Sequence, residues 1–559
     1  MRDLAQVRQT EYDVIVIGGG INGAGVARDA ALRGLKTILV EKNDFASGSS
    51  SWSSRLIHGG LRYLEYFEFP LVRESLKERE VLLRTAPHLV TPLQLTIPIY
   101  GDRSRPYWKI WAGMILYDLF SFDKTLPVHR MLPQAKFKQL FRSLDTENLS
   151  GGSQYYDGQV TLAERLCLEN ILSAQNAGAV VLNYMEVTDL PITKDRITDL
   201  VCKDKLTGES LTISGSQNAV VVNTAGPWID RVCDRASQAG EQTGIGDRDL
   251  NGGTKGSHIV VEEFPGAPGS TLYVEAKSDG RPFFIIPWLN KYLIGTTDLA
   301  YKEDIENIKA NDAEIDYLLQ EVNSIIPTAN LRRSDIKFTY SGVRPLPNSE
   351  GKKPGSITRK HIIFDHRQQG VNNLLSLIGG KLTTYRNVGE EIVDAILKRT
   401  KRPSKPCPTD HLPLPGCILP SDRRIQAAID KYESTLAIET IDHLFSVYGA
   451  RALEVLTITE DNPNLREAID PELPDIKAQI VYAVENEFAH NLVDILRRRT
   501  TMAMNGHYGL NLLPVVTTTL EQHCGWTKSD SDRAIADYKF YMEHNCIPDY
   551  QLASMSLAR

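Results

Sequence analysis

The chain has 559 residues, and its composition of 24% charged and 42% hydrophobic residues is typical of a soluble globular protein with about two to four domains. The net charge of −7, from 63 basic and 70 acidic residues, leaves no basic excess and argues against nucleic acid binding. The seven cysteines are scattered and form no CxxC pair, which argues against a disulfide framework or a metal site and fits a reducing compartment.

The first predicted element is a βαβ unit that begins at Asp13 with the sequence DVIVIGGGINGAG. An apolar strand leads into Gly18, Gly20 and Gly23, and a small-residue helix and a second apolar strand follow, ending at Glu41. In this arrangement the first glycine makes the tight turn, the second admits a pyrophosphate, and the third lets the helix pack on the strand. Glu41 is expected to accept hydrogen bonds from ribose hydroxyls. The fingerprint predicts an adenine dinucleotide site and leaves NAD and FAD open.

A serine-rich stretch, Ser47 to Ser54, follows the acid-ended strand. Its hydroxyl and backbone donors favour a loop that wraps the cofactor over a flexible linker, because the ordered-looking sequence LIHGGLRYL comes directly after it. The cofactor-binding candidates in this part of the chain, besides the glycines and Glu41, are Asn22, Lys42, Ser49, Ser50 and Ser54.

Two predicted helices come next. Apolar residues at helical spacing predict a helix over Phe69 to Leu83, with Glu74, Lys77, Glu78 and Arg79 directed to solvent. The segment from residue 108 to residue 122, WKIWAGMILYDLFSF, is too short to span a membrane, and a buried helix is favoured over one lying in a membrane interface. We expect neither a signal peptide nor a transmembrane helix.

Two further buried strands are predicted to end at the cofactor crevice. Ala219 to Asn223 runs into TAGPW, and Leu374 to Ile378 runs into GGK and then a helix that ends near Arg399. A second helix N-terminus can therefore meet the cofactor, and a cofactor held by both ends of the chain favours FAD over NAD. These turns add the cofactor-binding candidates Ala225, Gly226, Gly379, Gly380 and Thr383.

Strands predominate from Ser257 to His366 and predict a mixed or antiparallel sheet, with a tight hairpin at Leu289 and Asn290. A proline-rich linker from Pro403 to Pro415 precedes a helical C-terminal region. In that region Arg497 to Arg499 is interpreted as a basic helix end that suits the helix dipole, in preference to an anionic-lipid site.

The sequence resembles the FAD-dependent, membrane-associated sn-glycerol-3-phosphate dehydrogenases. The matching segments are VIVIGGGINGAGVARDAALRGL, SSRLIHGGLRYLE, NTAGPW, KGSHIVV, IGTTD, YSGVRPL, SITR and GGKLTTYR, in the family's order between residues 13 and 386, with DILRRRT in the helical tail. The resemblance covers nearly the whole chain. IHGGLRYL, YSGVRPL and GGKLTTYR are together highly specific.

The resemblance implies an α/β fold with a mixed β part: a Rossmann-like FAD-binding domain of the glutathione-reductase/amino-acid-oxidase type, a β-rich substrate domain and a C-terminal all-α domain. We predict a discontinuous FAD-binding domain at 1–85, 150–235 and 370–400, a substrate-binding domain at 86–149 and 236–369, and a helical domain at 401–559.

The function implied by the resemblance is oxidation of sn-glycerol 3-phosphate to dihydroxyacetone phosphate, by hydride transfer from C2 to FAD N5. Electrons would pass to a membrane quinone, which places the protein in glycerol metabolism and respiratory electron transfer. The resemblance further implies a cytoplasmic protein bound peripherally to the inner face of a membrane, and it leaves a homodimer open. It gives no sign of a calcium-binding extension.

The substrate class calls for cations and a base. Arginine forks and lysine recognise phosphate, and the family-like motifs contain Arg62, Arg344, Arg359 and Lys381, with Tyr63 as a polar neighbour. We expect Arg344 and Arg359 to clamp the phosphate, and Lys381 or Arg62 to lie nearer the reacting oxygen.

A base for the hydroxyl proton must titrate near neutrality, which suits histidine. The candidates are His58 and His258, and Arg344 is counted with them as a catalytic residue. Three alternatives remain: an oxygen-dependent glycerol-3-phosphate oxidase, an amine or amino-acid oxidase of the same superfamily, and a flavin-binding sensor without catalysis.

Overall fold

We describe a computed structural model of the protein. The structure describes residues 2–103, 105–237, 244–247, 249–349 and 357–557. Ser356, the first residue of the SITR motif, lies outside the described residues.

In chain order, the helices of the described residues are α1 Leu4–Gln9, α2 Ile21–Leu32, α3 Phe69–Thr85, α4 Tyr107–Phe120, α5 Gln134–Leu140, α6 Ala163–Asn176, α7 Ile229–Ser237, α8 Asp312–Ile325, α9 Tyr385–Arg399, α10 Arg423–Tyr432, α11 Ile438–Tyr448, α12 Ala452–Asp461, α13 Ala478–Asn486, α14 Leu513–His523, α15 Lys528–Asn545 and α16 Asp549–Leu557.

The strands of the same residues are β1 Glu11–Ile17, β2 Thr37–Val40, β3 Leu56–Ile57, β4 Val90–Tyr100, β5 Arg130–Pro133, β6 Leu149–Val160, β7 Val180–Leu182, β8 Met185–Asp189, β9 Ile192–Thr193, β10 Arg196–Ile197, β11 Asp199–Asp204, β12 Ser210–Asn223, β13 Thr254–Val261, β14 Thr271–Glu275, β15 Pro282–Trp288, β16 Lys291–Gly295, β17 Leu299–Ala300, β18 Ile336–Arg344, β19 Ile362–Asp365 and β20 Leu374–Ile378.

The first sheet carries the predicted dinucleotide fingerprint. Its strand order is β19-β20-β12-β1-β2-β7, with β11 and β8 attached beside β12, and β20, β12, β1, β2 and β7 run parallel. Helices α2, α6 and α9 share one apolar core with this sheet. Because β1, β2, β12 and β20 end at one edge, the turns that follow them converge there, and this is the predicted Rossmann-like domain.

The second sheet lies over that edge. Its order in the described residues is β17-β13-β16-β15-β14-β4-β6-β3, with β18 paired to β13 and β5 paired to β6. All these pairs are antiparallel except β14 with β4, so the expectation of a mixed sheet is confirmed. The predicted hairpin at Leu289 and Asn290 is also present, with positive φ of 52° and 57°. The domain boundaries stay a prediction, and β6 extends the second sheet as far as Val160.

The C-terminal region is helical, as predicted, and comprises α10 to α16. Arg497 to Arg499 end a helix, as interpreted, but they do not lie at the protein surface. These arginines lie in a π-helix, Asp494–Arg499, and all three are buried. The reason is that they meet carboxylates from distant parts of the chain: Arg497 pairs with Glu164, and Arg498 and Arg499 pair with Asp44.

Helix α3 differs from the expectation in a similar way. Glu78 and Arg79, predicted to face solvent, are buried. Glu78 accepts two hydrogen bonds of 2.7 Å from Arg386, and Arg79 donates one of 2.6 Å to Asp157. The helix packs against α4, β4 and β6, and Arg386 and Asn387 of α9 bond to its charged side, which therefore also meets protein.

Helix α4 is present, but the prediction that it is buried is wrong. Within it Ile110, Met114 and Tyr117 are buried, whereas Trp108 is 68% exposed and Leu119 is 64% exposed. The helix rests on the protein with one side only and turns its other apolar side outward. No helix within the described ranges combines the length and the hydropathy that a membrane crossing requires.

Candidate active site and cofactor cleft

A cavity of about 1030 Å³ lies where the two sheets meet. It brings together every predicted site residue except Gly23. The lining residues among them are Gly18, Gly20, Asn22, Glu41, Lys42, Ser49, Ser50, Ser54, His58, Arg62, Tyr63, Ala225, Gly226, His258, Arg344, Arg359, Gly379, Gly380, Lys381 and Thr383. Gly23 lies beneath the turn, where an added Cβ would stand 1.9 Å from the carbonyl oxygen of Gly18, so α2 packs against this strand only because no side chain is there.

The end of the cavity at α2 is prepared for a ribose and a pyrophosphate. The Glu41 carboxylate accepts hydrogen bonds of 2.8 Å from the backbone N–H groups of Gly19 and Asn43, which orients it, while burial raises its pKa. The Ser50 hydroxyl accepts a 2.9 Å hydrogen bond from the N–H of Ile21 at the start of α2. Lys42 pairs with Glu306 at 2.7 Å and lies 4.4 Å from the Trp228 ring, so its charge is compensated.

Asn22 tests whether this end fits a cofactor. Its Oδ1 atom is buried and has no hydrogen-bond donor among the described residues. A buried amide oxygen without a donor is costly, and a hydroxyl-bearing ligand would supply one. Together with the anion-binding start of α2, this donor set fits the adenosine diphosphate part of FAD.

The segment from residue 42 to residue 55, which we name the cofactor loop, joins the two sheets around the cavity. The Ser49 hydroxyl donates to the carbonyl oxygen of Val343 at 2.6 Å, and the Ser54 hydroxyl lies 2.8 Å from His258 Nε2. The loop is therefore anchored to β18 and β13 of the second sheet rather than hanging free as a linker.

Arg344 and Arg359 meet at one carboxylate. Arg344 Nη1 donates to Asp298 Oδ1 at 3.0 Å, and Arg359 Nη2 donates to Asp298 Oδ2 at 3.4 Å. Arg359 Nη1 is buried and has no acceptor within the described part of the chain. Burial lowers the pKa of Arg344, with Asp298 acting in the opposite direction. The two guanidinium groups carry more positive charge than Asp298 neutralises, so this side of the cavity suits an anion.

Lys381 stands between this pair and α3. Its Nζ donates to the Ser75 hydroxyl at 2.9 Å and lies 4.5 Å from the Tyr63 ring. Burial lowers the pKa of Lys381 to about 7, and Glu74 is the charge that most opposes this shift. A substantial share of Lys381 is therefore neutral near pH 7. Arg62 lies 5.9 Å from the Tyr66 ring at the same end of the cavity.

Both candidate histidines line the cavity. His258 stacks on Tyr340 at 4.7 Å, and its Nδ1 is buried without a partner in the described residues. Burial and the charges of Arg344 and Arg55 hold the pKa of His258 well below its usual value. Burial also lowers the pKa of His58, to about 4, although Asp157 acts against it. Both rings are neutral at pH 7 and are weak bases.

Three residues of the site were not predicted from the sequence. Asp298 orders the arginine pair, and it stands in the IGTTD motif, which was a usable signal. Ser75 and Glu74 reach Lys381 from α3. Nothing local marks them, because their contact with residue 381 spans about three hundred positions of sequence.

Two family models match the chain. The model for FAD dependent oxidoreductases matches residues 13–386, and the model for the C-terminal domain of alpha-glycerophosphate oxidase matches residues 407–531. Together they cover both sheets and most of the helical region.

Similar proteins match over nearly the full length. The glycerol-3-phosphate dehydrogenase of Synechocystis sp. is 60% identical over 554 residues, which are 99% of this chain and 100% of that protein. The aerobic glycerol-3-phosphate dehydrogenase of Staphylococcus haemolyticus is 33% identical over 88% of this chain and 87% of its own. The solved structure of the glycerol-3-phosphate dehydrogenase from Bacillus halodurans, complexed with FAD, is 29% identical with a TM-score of 0.77 and covers 97% of this chain and 96% of that chain.

Proposed function

The chain belongs to the FAD-dependent oxidoreductase family and, within it, to the FAD-dependent glycerol-3-phosphate dehydrogenases, and from this premise we propose how it acts: it oxidises sn-glycerol 3-phosphate to dihydroxyacetone phosphate and passes the electrons to a membrane quinone. The observation that best supports this substrate is the Arg344–Asp298–Arg359 cluster, which lies in the same cavity as the dinucleotide site. Within it, Arg359 Nη1 lacks an acceptor among the described residues. A phosphate dianion would give that group its missing partner.

The residues divide the work between binding and proton removal. Arg344 and Arg359 hold the phosphate, and Asp298 keeps both guanidinium groups oriented before substrate arrives. Lys381 accepts the proton of the C2 hydroxyl, because its pKa of about 7 makes it a far better base near neutrality than His58 or His258, whose pKa values are held lower. His58 and His258 remain neutral donors or acceptors that orient the substrate. When bound, the flavin supplies the hydride acceptor at N5.

An exposed apolar surface supports peripheral membrane binding. Helix α4 and its flanks expose Trp108, Trp111, Leu119 and Phe122, and Phe67 is 75% exposed on the neighbouring turn. Such a surface suits the headgroup–acyl boundary of a bilayer. Tyr66, next to Phe67, is 47% exposed and also lines the cavity, so a quinone dissolved in the membrane would have a short path to the flavin.

The anaerobic visible spectrum tests the substrate and the acceptor. Flavin bands that bleach when sn-glycerol 3-phosphate is added support the substrate, and a yellow protein that does not bleach contradicts it. After bleaching, the dehydrogenase is supported if the flavin absorbance returns slowly in air and rapidly when a short-chain quinone is added. Immediate recovery in air with peroxide would support the oxidase, the alternative suggested by the name of the C-terminal family model.

Vesicle binding tests the surface. The protein is expected to co-sediment with anionic vesicles at low salt. The triple variant Trp108→Ser, Leu119→Ser, Phe122→Ser is expected to lose vesicle binding but to keep its activity with a water-soluble dye as electron acceptor. Phe540→Ser, at a 58% exposed aromatic residue of α15, is the control and should bind vesicles as the wild type does. Equal binding by both variants contradicts the assignment. Light scattering in detergent tests the homodimer.

A further inference from the structure

The C-terminal domain reaches the cofactor loop through three consecutive arginines. Arg497, Arg498 and Arg499 occupy the last half of the π-helix Asp494–Arg499 and are only 1%, 6% and 1% exposed. Three adjacent guanidinium groups in a protein interior are costly unless each is matched by an acceptor. Arg498 also donates to Asp494 of its own helix, and Arg499 also donates to the carbonyl oxygen of Glu487. The carboxylates that the three arginines reach outside the C-terminal domain belong to, or bind, the two ends of the cofactor loop.

The first end of the loop is held through Asp44. Arg499 donates from Nη1 and Nη2 to the two Asp44 oxygens at 2.7 and 2.8 Å, and Arg498 Nε donates to Oδ2 at 2.6 Å. Burial acts against ionisation of Asp44, but the charges of Arg499 and Arg498 outweigh it and lower its pKa to about 2. Asp44 lies three residues after Glu41, so these ion pairs hold the chain close to the point where the strand leading to the ribose site ends.

The second end is held through Glu164 at the start of α6. Arg55 donates from Nη1 and Nη2 to the Glu164 carboxylate at 2.6 and 2.8 Å, and Arg497 Nη1 donates to it at 2.7 Å. Arg497 also lies 4.7 Å from the ring of Trp52. One carboxylate therefore joins the last residue of the cofactor loop to the C-terminal domain.

Contacts of the cofactor loop also connect Arg497 with the side of the cavity that contains His258. Trp52 packs against Tyr340 at 5.7 Å, and Tyr340 stacks on His258 and donates a 2.7 Å hydrogen bond to the carbonyl oxygen of Ser53. Ser54 in turn contacts His258 at 2.8 Å. A shift of Arg497 would thus reach His258 by two routes.

We propose that Arg497, Arg498 and Arg499 are positioning residues that hold both ends of the cofactor loop in its FAD-binding conformation, so that retention of FAD depends on the C-terminal domain. Asp44 and Arg55 stand at opposite ends of one loop, and the loop lines the cofactor part of the cavity. If the arginines only stabilised the contact between two domains, their carboxylate partners would not be expected at both ends of this loop. The proposal depends on the FAD site and not on the identity of the substrate.

The test compares FAD affinity with stability in two lysine variants. Arg499→Lys keeps a positive charge near Asp44 but loses the two-pronged fork. Arg451→Lys is the control, because Arg451 is also buried in the C-terminal domain, at 8% exposed, and its acidic partners Glu169, Glu454 and Glu487 lie outside the cofactor loop. Apoprotein of each variant is titrated with FAD by flavin fluorescence, and its thermal midpoint is recorded by circular dichroism.

Arg499→Lys is expected to raise the Kd for FAD about tenfold or more, because a loosened loop must be ordered at each binding event. Arg451→Lys is expected to lower the thermal midpoint but to leave the Kd within about twofold of wild type. The proposal is overturned if Arg499→Lys lowers the midpoint as Arg451→Lys does and binds FAD with wild-type affinity.

Hydrogen exchange on the wild-type chain gives a second test that needs no variant. If the arginines hold the loop, amides of residues 42–55 stay protected when FAD is removed, and only the turns that contact the cofactor directly lose protection. Complete loss of protection across residues 42–55 in the apoprotein would mean that FAD, and not the C-terminal domain, orders the loop, and would refute the proposal.

Discussion

Replacing Glu74 by glutamine is expected to lower the pH at which Lys381 loses its proton. Burial is the largest influence on Lys381 and lowers its pKa to about 7, and the negative charge of Glu74 is the strongest force in the opposite direction. Glutamine keeps the size and the hydrogen bond to Asn387 but removes that charge. Neutral Lys381, the form able to accept a proton, then persists at lower pH.

The expected size of the shift depends on how far water screens the charge of Glu74. An opposite charge within a few Å commonly shifts a pKa by about one to three units. The Glu74 side chain is 19% exposed, so water screens part of its field, and the low end of that range applies. We therefore expect the acidic limb of the activity profile to move from about pH 7 to about pH 6, a tenfold gain in neutral lysine below the wild-type pKa.

Anaerobic stopped-flow measurement of flavin bleaching as a function of pH reads this shift without the oxidative half-reaction. The second-order rate constant for reduction reports the free enzyme. Glu80→Gln is the matched control on α3, because Glu80 bonds Arg79 and Thr125 and is not among the charges that act on Lys381. An unmoved limb in the Glu74 variant, or a limb near pH 7 that persists in Lys381→Met, would show that another group titrates.

Three further outcomes follow from the cavity and its support. Arg359→Gln should raise KM for sn-glycerol 3-phosphate at least about thirtyfold, since losing a buried charged contact costs about 2–5 kcal/mol, and steady-state kinetics measures this. Gly256→Ala should lower kcat/KM, because its Cβ would stand 2.3 Å from Arg344 Nη2 and displace the guanidinium group; unchanged kinetics would contradict that contact. FAD release, followed by flavin fluorescence, should begin as pH falls below about 4. Asp44 and Glu164 have pKa values of about 2 in the folded protein and near 4 in the unfolded chain. Their ion pairs therefore stabilise the fold fully above about pH 4, and this stabilisation is lost between about pH 4 and pH 2.

What the sequence predicts well is what local chemistry dictates. The turn at Gly18 to Gly23 and the return at Gly379 and Gly380 are each specified within a few residues, and parallel strands bring them to one edge without further information. The cationic side of the cavity was predictable for the same reason, because Arg344 is the last residue of β18 and Lys381 comes three positions after the end of β20.

What the sequence conceals is the far partner of a charge. A basic run at a helix end suggests only an interaction with the helix dipole, and a charged face on a helix suggests solvated surface. The structure shows instead that Arg499 bonds Asp44 from 455 positions away and Arg386 bonds Glu78 from 308. Periodicity gives the face of a helix but not what covers it. The opposite error at α4 has the same origin, since an apolar helix is buried only if a second surface covers its outer side, and Trp111 on that side is 51% exposed.

The charge balance of the cavity leads to one more prediction, on the bound state. Two arginines against Asp298 leave about one net positive charge in the clamp, and the substrate phosphate brings nearly two negative charges. The complex therefore presents excess negative charge to Lys381, which favours its protonated form and raises its pKa above the free-enzyme value of about 7. In anaerobic stopped-flow experiments the limiting reduction rate, which reports the complex, should titrate at higher pH than the second-order rate constant. If the limiting rate instead falls at an equal or lower pH, the bound phosphate lies too far from Lys381 to be held by Arg359. The phosphate-binding arginines and the base would then not act on one substrate molecule.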